Sequence, residues 1–155
     1  MQKVGRLLPH RIGQVMKELG YNRRNGYKIW INPGQGNDVD FKVWSNNNLV
    51  LVGEVLNWSI GSRMSNKRCN NITSNLSKHN CHRVLIHTVP LNRKQWLKIR
   101  KNGIDTLKIG YQVLPKRFYD FYKFRRQTTK RKFDSKKINA DIKFKISKYL
   151  KKKNI

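Results

Sequence analysis

Two stretches of the chain decide its fold: GNDVDFKVW at residues 36–44 and LVLVGEVLNW at residues 49–58. In the first stretch, apolar residues at 39, 41 and 43 alternate with charged residues at 38, 40 and 42. Because successive side chains of a strand point to opposite faces, this pattern predicts a strand with one apolar and one charged face. The second stretch is apolar on both faces, which is typical of a central buried strand. Between them, SNNN at residues 45–48 predicts a hairpin loop.

The segments around this hairpin predict an alternation of helices and strands. Apolar residues recur with helical spacing between 12 and 19, which predicts a first helix over 9–19, opened by Pro9 and closed by Gly20. Further patterns predict a strand over 27–32, a helix over 65–78, a strand over 82–90, a helix over 92–103 and a last strand over 106–115. This order predicts an α/β fold in which a mixed central sheet is flanked by helices.

The composition changes after Pro115. Residues 116–155 hold 16 of the 35 basic residues and 3 of the 8 acidic ones. We therefore divide the chain into an α/β domain at 1–115 and a basic, aromatic-containing C-terminal extension at 116–155, and we expect the core elements to end near Pro115. Within the extension, RFYDFYKF at 117–124 predicts a short docked helix, whereas DIKFKISKYL at 141–150 fits either a strand or a helix.

The charge balance indicates a polyanionic partner. The 155-residue chain has 35 Lys and Arg against 8 Asp and Glu, which gives a net charge of +27 and an isoelectric point near 10.7. Self-repulsion of this size is tolerable beside a polyanion, and nucleic acid is the obvious one. The candidate nucleic-acid-binding residues are the clustered cations Arg23, Arg24, Arg63, Lys67, Arg68, Arg125, Arg126, Lys130, Arg131 and Lys132.

Other residue types point to no further chemistry. No run approaches the roughly 18 apolar residues of a membrane span, and the amino terminus lacks the apolar run of a signal peptide, so we expect a cytoplasmic protein without a membrane partner. Cys69 and Cys81 lie 12 apart without a CxxC motif and are expected to be reduced core residues. His82 and His87 fall on opposite faces of a predicted strand. The tryptophans, including the one in YKIW, are interpreted as core and interface residues rather than base-stacking platforms.

Three acids are concentrated where a core strand should be apolar. Asp38, Asp40 and Glu54 account for three of the five acids in the first 115 residues, and they lie on two adjacent predicted strands. Burying an unpaired charge in the protein interior costs roughly several kcal/mol of stability. A hard cation such as Mg²⁺ offsets that cost, because it takes carboxylate oxygens, water and substrate phosphate as ligands. The acids therefore predict a metal site.

Residues 9–90 resemble the PD-(D/E)XK nuclease superfamily, the restriction-endonuclease-like fold, and most of all its archaeal Holliday junction resolvases. The resemblance implies a metal-dependent DNA endonuclease that hydrolyses phosphodiester bonds with Mg²⁺ or Mn²⁺. It also implies duplex or branched DNA as substrate, a homodimer, and a role in DNA recombination and repair. By the same resemblance Asp40 and Glu54 hold the metal, and the backbone carbonyl of Val55 adds a ligand. Asp38 is the other candidate for the first acid.

The sequence departs from this family at two positions. The family lysine that follows the second acid by two residues falls on Leu56. Lys42, on the same predicted face as Asp40, or Lys67, on the second predicted helix, could replace it. The acid on the first helix of resolvases has Glu18 as its only counterpart.

Other interpretations of the same residues stay open. Asp38 could be a surface turn residue, and Asp40 and Glu54 could form structural salt bridges with Lys42, Arg63 or Arg83. The chain could be a non-catalytic nucleic-acid-binding protein, either an architectural DNA protein or a ribosomal-type RNA binder, or a subunit that binds a partner nuclease. A pure binder, however, has no reason to gather acids on two adjacent strands.

Overall fold

The computed structural model describes residues 2–34, 36, 38–59, 61–114 and 135–155. Its elements follow the predicted order closely and add a helix at the carboxyl end. They are α1 (Gln2–Glu18), a single 3-10 turn (Arg23–Asn25), β1 (Tyr27–Ile31), β2 (Phe41–Ser45), β3 (Asn48–Leu56), α2 (Asn66–Ser77), β4 (His82–His87), α3 (Arg93–Lys101), β5 (Asp105–Lys108) and α4 (Ser135–Lys152).

The five strands form one mixed sheet in the order β1-β2-β3-β4-β5. The pairs β1/β2 and β2/β3 are antiparallel, whereas β3/β4 and β4/β5 are parallel. Asn46 and Asn47 have positive φ angles of 50° and 67° at the β2–β3 turn, a conformation that asparagine tolerates and that closes a tight hairpin. The predicted fold class, an α/β protein with a mixed central sheet, is confirmed, and the arrangement is compatible with a restriction-endonuclease-like fold.

Apolar side chains are buried on both faces of the sheet. One core lies between the sheet and the helices α1 and α4, and the other lies under α2 and α3. The central strand β3 serves both cores, because Leu51 and Val55 face the first and Val52 and Leu56 face the second. This alternation confirms that β3 is buried on both faces, and it places the side chain of Glu54 on the α2 face.

The limits of several predicted elements were wrong. Strand β4 ends at His87, and β2 begins at Phe41, so that Val39 packs in the second core while Phe41 and Val43 pack in the first. Helix α1 begins at Gln2 and includes Pro9, which was expected to open it. Leu8 extends the apolar stripe of the helix backwards and is fully buried, and this burial outweighs the backbone hydrogen bond that proline cannot donate. Strand β5 ends at Lys108 instead of continuing to 115. Farther along, the Asn57 side chain pairs with the backbone of Val113, accepting from its N–H at 2.8 Å and donating to its carbonyl at 2.7 Å.

The C-terminal segment resolves the choice left open by its sequence, since residues 141–150 are helical. The apolar face of α4 is buried in the first core through Ile138, Ile142, Ile146, Tyr149 and Leu150. The expectation that the core ends near Pro115 is therefore wrong for α4, whose burial depends on a distant partner, α1. The division at residue 115 as a domain boundary stays a prediction, and the short helix expected at 117–124 lies outside the described residues.

Polar contacts also attach α4 to the sheet. The Tyr149 hydroxyl donates to Asp105 Oδ2 at 3.0 Å, and Lys153 Nζ lies 3.1 Å from the same oxygen. The Tyr111 hydroxyl donates to Asp141 Oδ2 at 2.6 Å. These contacts join α4 and the residue that follows it to the first residue of β5 and to the segment after β5.

Two predictions about the remaining residues can be compared with the structure. Both cysteines are free thiols, with Cys69 buried and Cys81 half-buried. Within the described ranges, no helix combines the length and apolar character that crossing a membrane requires.

Candidate active site

The candidate site forms where β2 begins beside the middle of β3. The Asp40 N–H donates to the Gly53 carbonyl at 2.9 Å, which continues the antiparallel ladder one residue before β2. Beyond this point the Asp40 side chain takes the place of a strand partner, because the Val55 N–H donates to Asp40 Oδ2 at 2.7 Å. The Asp40 carboxylate is thereby fixed against the backbone of β3, next to Glu54.

Glycine at position 53 is required by this arrangement. Phe41 lies opposite Gly53 in the β2–β3 register, and its ring covers the glycine. A Cβ at position 53 would lie 2.1 Å from the Phe41 ring, which is far inside contact distance. The glycine therefore permits the close approach of the two strands that carry the acids.

Glu54 is the second acid of the site and is almost fully buried, with 3% relative exposure. It lies directly across from Asp40 on the antiparallel ladder, and Asn75 Nδ2 on α2 lies 3.4 Å from its Oε1. Burial raises the pKa of Glu54 well above its usual value, and the charge of the Asp40 carboxylate and the hydrogen bond to it act in the same direction. Arg68 and Asn75 oppose this shift. We call Asp40 and Glu54 the carboxylate pair.

The chemistry of this donor set fits a divalent cation. Two adjacent carboxyl groups held against each other cannot both ionise without a positive charge between them. Mg²⁺ binds through one or two carboxylates and completes its shell with water and phosphate oxygens, so two acids suffice. Because the N–H and C=O of a strand residue point to the same edge, the Val55 carbonyl also lies on the edge that faces Asp40. No group of three or more His, Cys, Asp and Glu side chains forms a metal site among the described residues.

The contacts of Asp38 do not involve the carboxylate pair. Its Oδ2 is 2.8 Å from Lys42 Nζ, and its Oδ1 is 3.8 Å from His79 Nε2. Partial burial alone would raise the pKa of Asp38, but the hydrogen bonds from Lys42 and the Val39 N–H outweigh it and hold the pKa below its usual value. With its side chain 42% exposed, Asp38 has the surroundings of a surface residue paired with a cation. His79, isolated in the sequence, is thereby placed beside an acid.

The structure separates the candidate replacements for the family lysine. Lys42 shares the face of Asp40, but its ammonium is engaged with Asp38. Lys67 is exposed on the first turn of α2. Arg68, the next residue, interacts electrostatically with Glu54. The side chain at the family position, Leu56, is 1% exposed in the second core.

The remaining candidates lie farther away or outside the description. Arg63 is exposed in the loop before α2, and Arg23 and Arg24 are exposed in the 3-10 turn at the opposite end of β1 from Asp40. Glu18 pairs with Lys143 of α4 at 3.6 Å, on the other face of the sheet. The basic residues Arg125, Arg126, Lys130, Arg131 and Lys132 lie outside the described residues.

Within the part of the chain that the structure describes, neither Asp40 nor Glu54 forms an ion pair within 4 Å of a Lys or Arg nitrogen. The alternative in which both acids form structural salt bridges with Lys42, Arg63 or Arg83 is therefore wrong for these residues.

The sequence analysis missed Asn75 as a residue of the site, because only the folded chain brings α2 next to β3. The one signal that could have pointed to Asn75 is the composition of α2, which has more Asn than apolar residues.

Comparisons with known proteins add a weak likeness. No protein-family model matches the chain, and no curated protein matches it. Among solved structures, the MspJI restriction endonuclease in complex with a 27-mer oligonucleotide is similar, with a TM-score of 0.46 and 16% sequence identity. The similarity covers 68% of this chain and 26% of that chain, so this chain spans about a quarter of its neighbour. A likeness at this level carries no argument about activity, which must come from this chain's own residues.

Proposed function

We propose that the protein is a metal-dependent endonuclease that hydrolyses phosphodiester bonds in DNA at the carboxylate pair. One observation carries the proposal: a chain with a net charge of +27 buries one of its 8 acids, Glu54, against a second, Asp40. Burying one carboxyl group beside a second, half-buried one opposes stability unless something else binds there. A divalent cation would neutralise the two carboxylates, and the phosphates of a nucleic acid would neutralise the positive charge of the rest of the chain.

Each residue of the site has a distinct role in this proposal. Asp40, fixed by the Val55 N–H, and Glu54 would hold Mg²⁺ or Mn²⁺ through their carboxylates, with the Val55 carbonyl as a third protein ligand. Glu54 must be ionised to act as a ligand. When bound, the metal supplies an activated water and neutralises the charge that develops on the phosphate. Arg68, whose charge acts on Glu54, would bind the phosphate that enters the site.

The role of the missing family lysine falls to a cation from another element. Lys42 must exchange its contact with Asp38 to reach the carboxylate pair, and Lys67 must extend from the surface of α2. Substituting either by Met keeps the aliphatic stem and deletes the charge. The lysine that acts should show a loss of about tenfold or more in single-turnover cleavage with nearly unchanged DNA binding, which corresponds to about 1.4 kcal/mol in the barrier. If neither variant slows cleavage, Arg68→Met tests the remaining candidate.

The finer assignments follow the resolvase resemblance. We propose that branched DNA is cleaved in preference to linear duplex and that the active form is a homodimer, which would cut two strands symmetrically. The substrate preference is tested by comparing the cleavage rates of a four-way junction and a matched linear duplex. The oligomeric state is tested by measuring the molar mass of the protein in solution. Equal cleavage of both substrates by a monomer would leave a nuclease without the resolvase specificity.

A non-catalytic nucleic-acid-binding protein is the second candidate. It is favoured by Leu56, which is buried at the family's lysine position, and by the engagement of Lys42 with Asp38. In that case the carboxylate pair would be the remnant of a site, and DNA would bind without being cut.

Substitution of the carboxylate pair separates the two candidates. Asp40→Asn and Glu54→Gln keep the shape of the side chains and remove the charge, and each should lower the cleavage rate more than about a hundredfold, since losing even an outer-shell partner of a metal site costs 10–100-fold. DNA affinity should stay equal or rise slightly, because a repulsive charge is removed. Glu18→Gln is the matched control on the other face of the sheet. Full cleavage by both site variants would refute the proposed site.

A further inference from the structure

Two lysines and two tryptophans form a regular pattern on β1 and β2. Lys28 lies directly opposite Trp44, and Trp30 lies directly opposite Lys42. In each pair the ammonium lies over the indole, with Lys28 Nζ 5.1 Å from the Trp44 ring centroid and Lys42 Nζ 5.2 Å from the Trp30 ring centroid. We call these four residues the Trp–Lys ladder.

The ladder is separate from the packed interior. The other face of β1 packs against the first core through Tyr27, Ile29 and Ile31. Trp30 and Trp44 are only half-buried, and among the described residues neither is part of, or packed against, either core. Sequence reasoning interpreted them as core or interface residues because of their size. Large aromatic rings that stay outside both cores and stack on cations need another explanation.

The ladder lies between two charged regions, one at each end of β1. At one end, Ile31 pairs with Phe41, next to Asp40 of the carboxylate pair. At the other end, Tyr27 follows the 3-10 turn that carries the exposed Arg23 and Arg24. The four steps of β1 between these ends span about 13 Å at a strand rise of about 3.3 Å per residue. The ladder thus forms a path from a basic turn to the candidate site.

The chemistry of the ladder suits a nucleic acid strand whose bases are unpaired. Every base has a π face that can stack on an indole, and a lysine beside the ring can bind the adjoining phosphate. Diagonal neighbours across two antiparallel strands lie about 7–8 Å apart, whereas bases in a duplex strand repeat at about 3.4 Å. Two indoles at this spacing therefore match an extended strand and do not match a stacked duplex strand.

We propose that the Trp–Lys ladder binds unpaired bases of a nucleic acid strand and leads that strand to the carboxylate pair. The ladder commits the protein to a substrate with a single-stranded segment, such as a branch, a flap or an opened duplex. The guiding role rests on the proposed function, whereas base binding by the ladder is measurable without cleavage. On binding, Lys28 and Lys42 exchange their indole contacts for phosphate, and a base takes their place over each ring.

The first experiment uses the unaltered protein in the presence of chelator, so that no strand is cut. Fluorescence anisotropy compares a labelled oligothymidine of about 15 nucleotides with an abasic strand of equal length, which keeps the phosphates and lacks the bases. The base-containing strand is expected to bind about tenfold more tightly, since each stacked base contributes a substantial share of affinity. Equal affinity for the two strands would overturn the proposal, because phosphates alone would then account for binding.

The second experiment locates the stacking surface. Trp44→Leu keeps an apolar side chain and deletes the aromatic face, and it should lower oligothymidine affinity about tenfold while leaving affinity for the abasic strand unchanged. The matched control is Trp96→Leu, because Trp96 is 44% exposed and carries Arg100 5.7 Å from its ring, but belongs to α3, which packs against β5 at the other edge of the sheet. If the control loses affinity and Trp44→Leu does not, the ladder is only a structural feature of the hairpin.

Circular dichroism identifies which variants fold. If Trp44→Leu does not fold, Trp30→Leu, which alters the tryptophan nearest Asp40, is tested for the same difference between oligothymidine and abasic-strand affinity. The outcomes also separate this proposal from the endonuclease. Loss of strand binding in a protein that never cleaves DNA supports the ladder and refutes the endonuclease. Cleavage that survives with unchanged binding in both tryptophan variants refutes the ladder alone.

Discussion

Ile142→Ala is expected to destabilise the protein strongly, although it lies in a segment whose sequence looks like a basic tail. Ile142 is fully buried in the core formed by α1, α4 and the sheet. The substitution removes three carbon atoms, which at about 0.8 kcal/mol per buried methylene amounts to roughly 2.4 kcal/mol of transfer free energy. The cavity left behind adds to this, so the free energy of unfolding should fall by about 3–4 kcal/mol.

The matched control is Phe144→Ala on the same helix. Phe144 is larger than Ile142 but 66% exposed, so its truncation should change the free energy of unfolding by no more than about 0.5 kcal/mol. Urea denaturation followed by circular dichroism measures both variants. At a slope of about 1–3 kcal/mol per molar urea, Ile142→Ala should lower the unfolding midpoint by at least about 1 M.

Two results would refute the reasoning. If both variants unfold at the midpoint of the unaltered protein, α4 does not contribute to the core. If Phe144→Ala is the more damaging, the helix presents a different face to α1. Deletion of residues 135–155 extends the test: it removes the apolar face of α4, and since whole domains are stable by only about 5–15 kcal/mol, the shortened chain should not fold cooperatively.

Three further predictions concern the sheet, the helix attachment and the charge. Gly53→Ala should lower the unfolding midpoint sharply because of the Phe41 ring, whereas Gly110→Ala, with open space at its Cβ, should leave it nearly unchanged; thermal melts followed by circular dichroism compare the two. Tyr149→Phe deletes the hydroxyl that donates to Asp105 and should destabilise the fold by about 1–3 kcal/mol in urea titrations, and no change would show that Lys153 and Arg100 satisfy the acid without it. DNA affinity should fall linearly with salt on logarithmic axes, with a slope of about 0.9 per phosphate contact on duplex DNA; a flat response would exclude binding through the basic surface.

Sequence patterns predicted the centre of the sheet well, because there the period-two alternation of the sequence agrees with the burial that the packed fold imposes. Phe41 and Val43 are buried in the first core, as the alternation predicts, and the asparagines of the turn adopt the positive φ angles of a tight hairpin. The alternation fails at Val39, which precedes β2 and is buried in the second core. The same alternation placed Asp40 on the α2 face of the sheet. The two acids of the site were visible in the sequence because carboxylates are rare in this chain.

Features that depend on distant partners could not be predicted in this way. Helix α4 has a basic composition like that of a solvated tail, and only its packing on α1 shows that it belongs to the core. The contact of Asn75 with Glu54 joins residues 21 positions apart on different elements. Lys42 shares the face of Asp40, as the strand period requires, but its engagement with Asp38 depends on the conformation of the loop before β2.

The most direct test of the central claim is cleavage of labelled branched and linear DNA by the unaltered protein, with Mg²⁺ or Mn²⁺ and with chelator. If the carboxylate pair holds a catalytic metal, labelled fragments should appear with either ion, and chelator should abolish them while DNA stays bound. If DNA is bound and no fragment appears with either metal at enzyme excess, the protein is a nucleic-acid binder. Fragments that persist in chelator would equally contradict a metal site at Asp40 and Glu54.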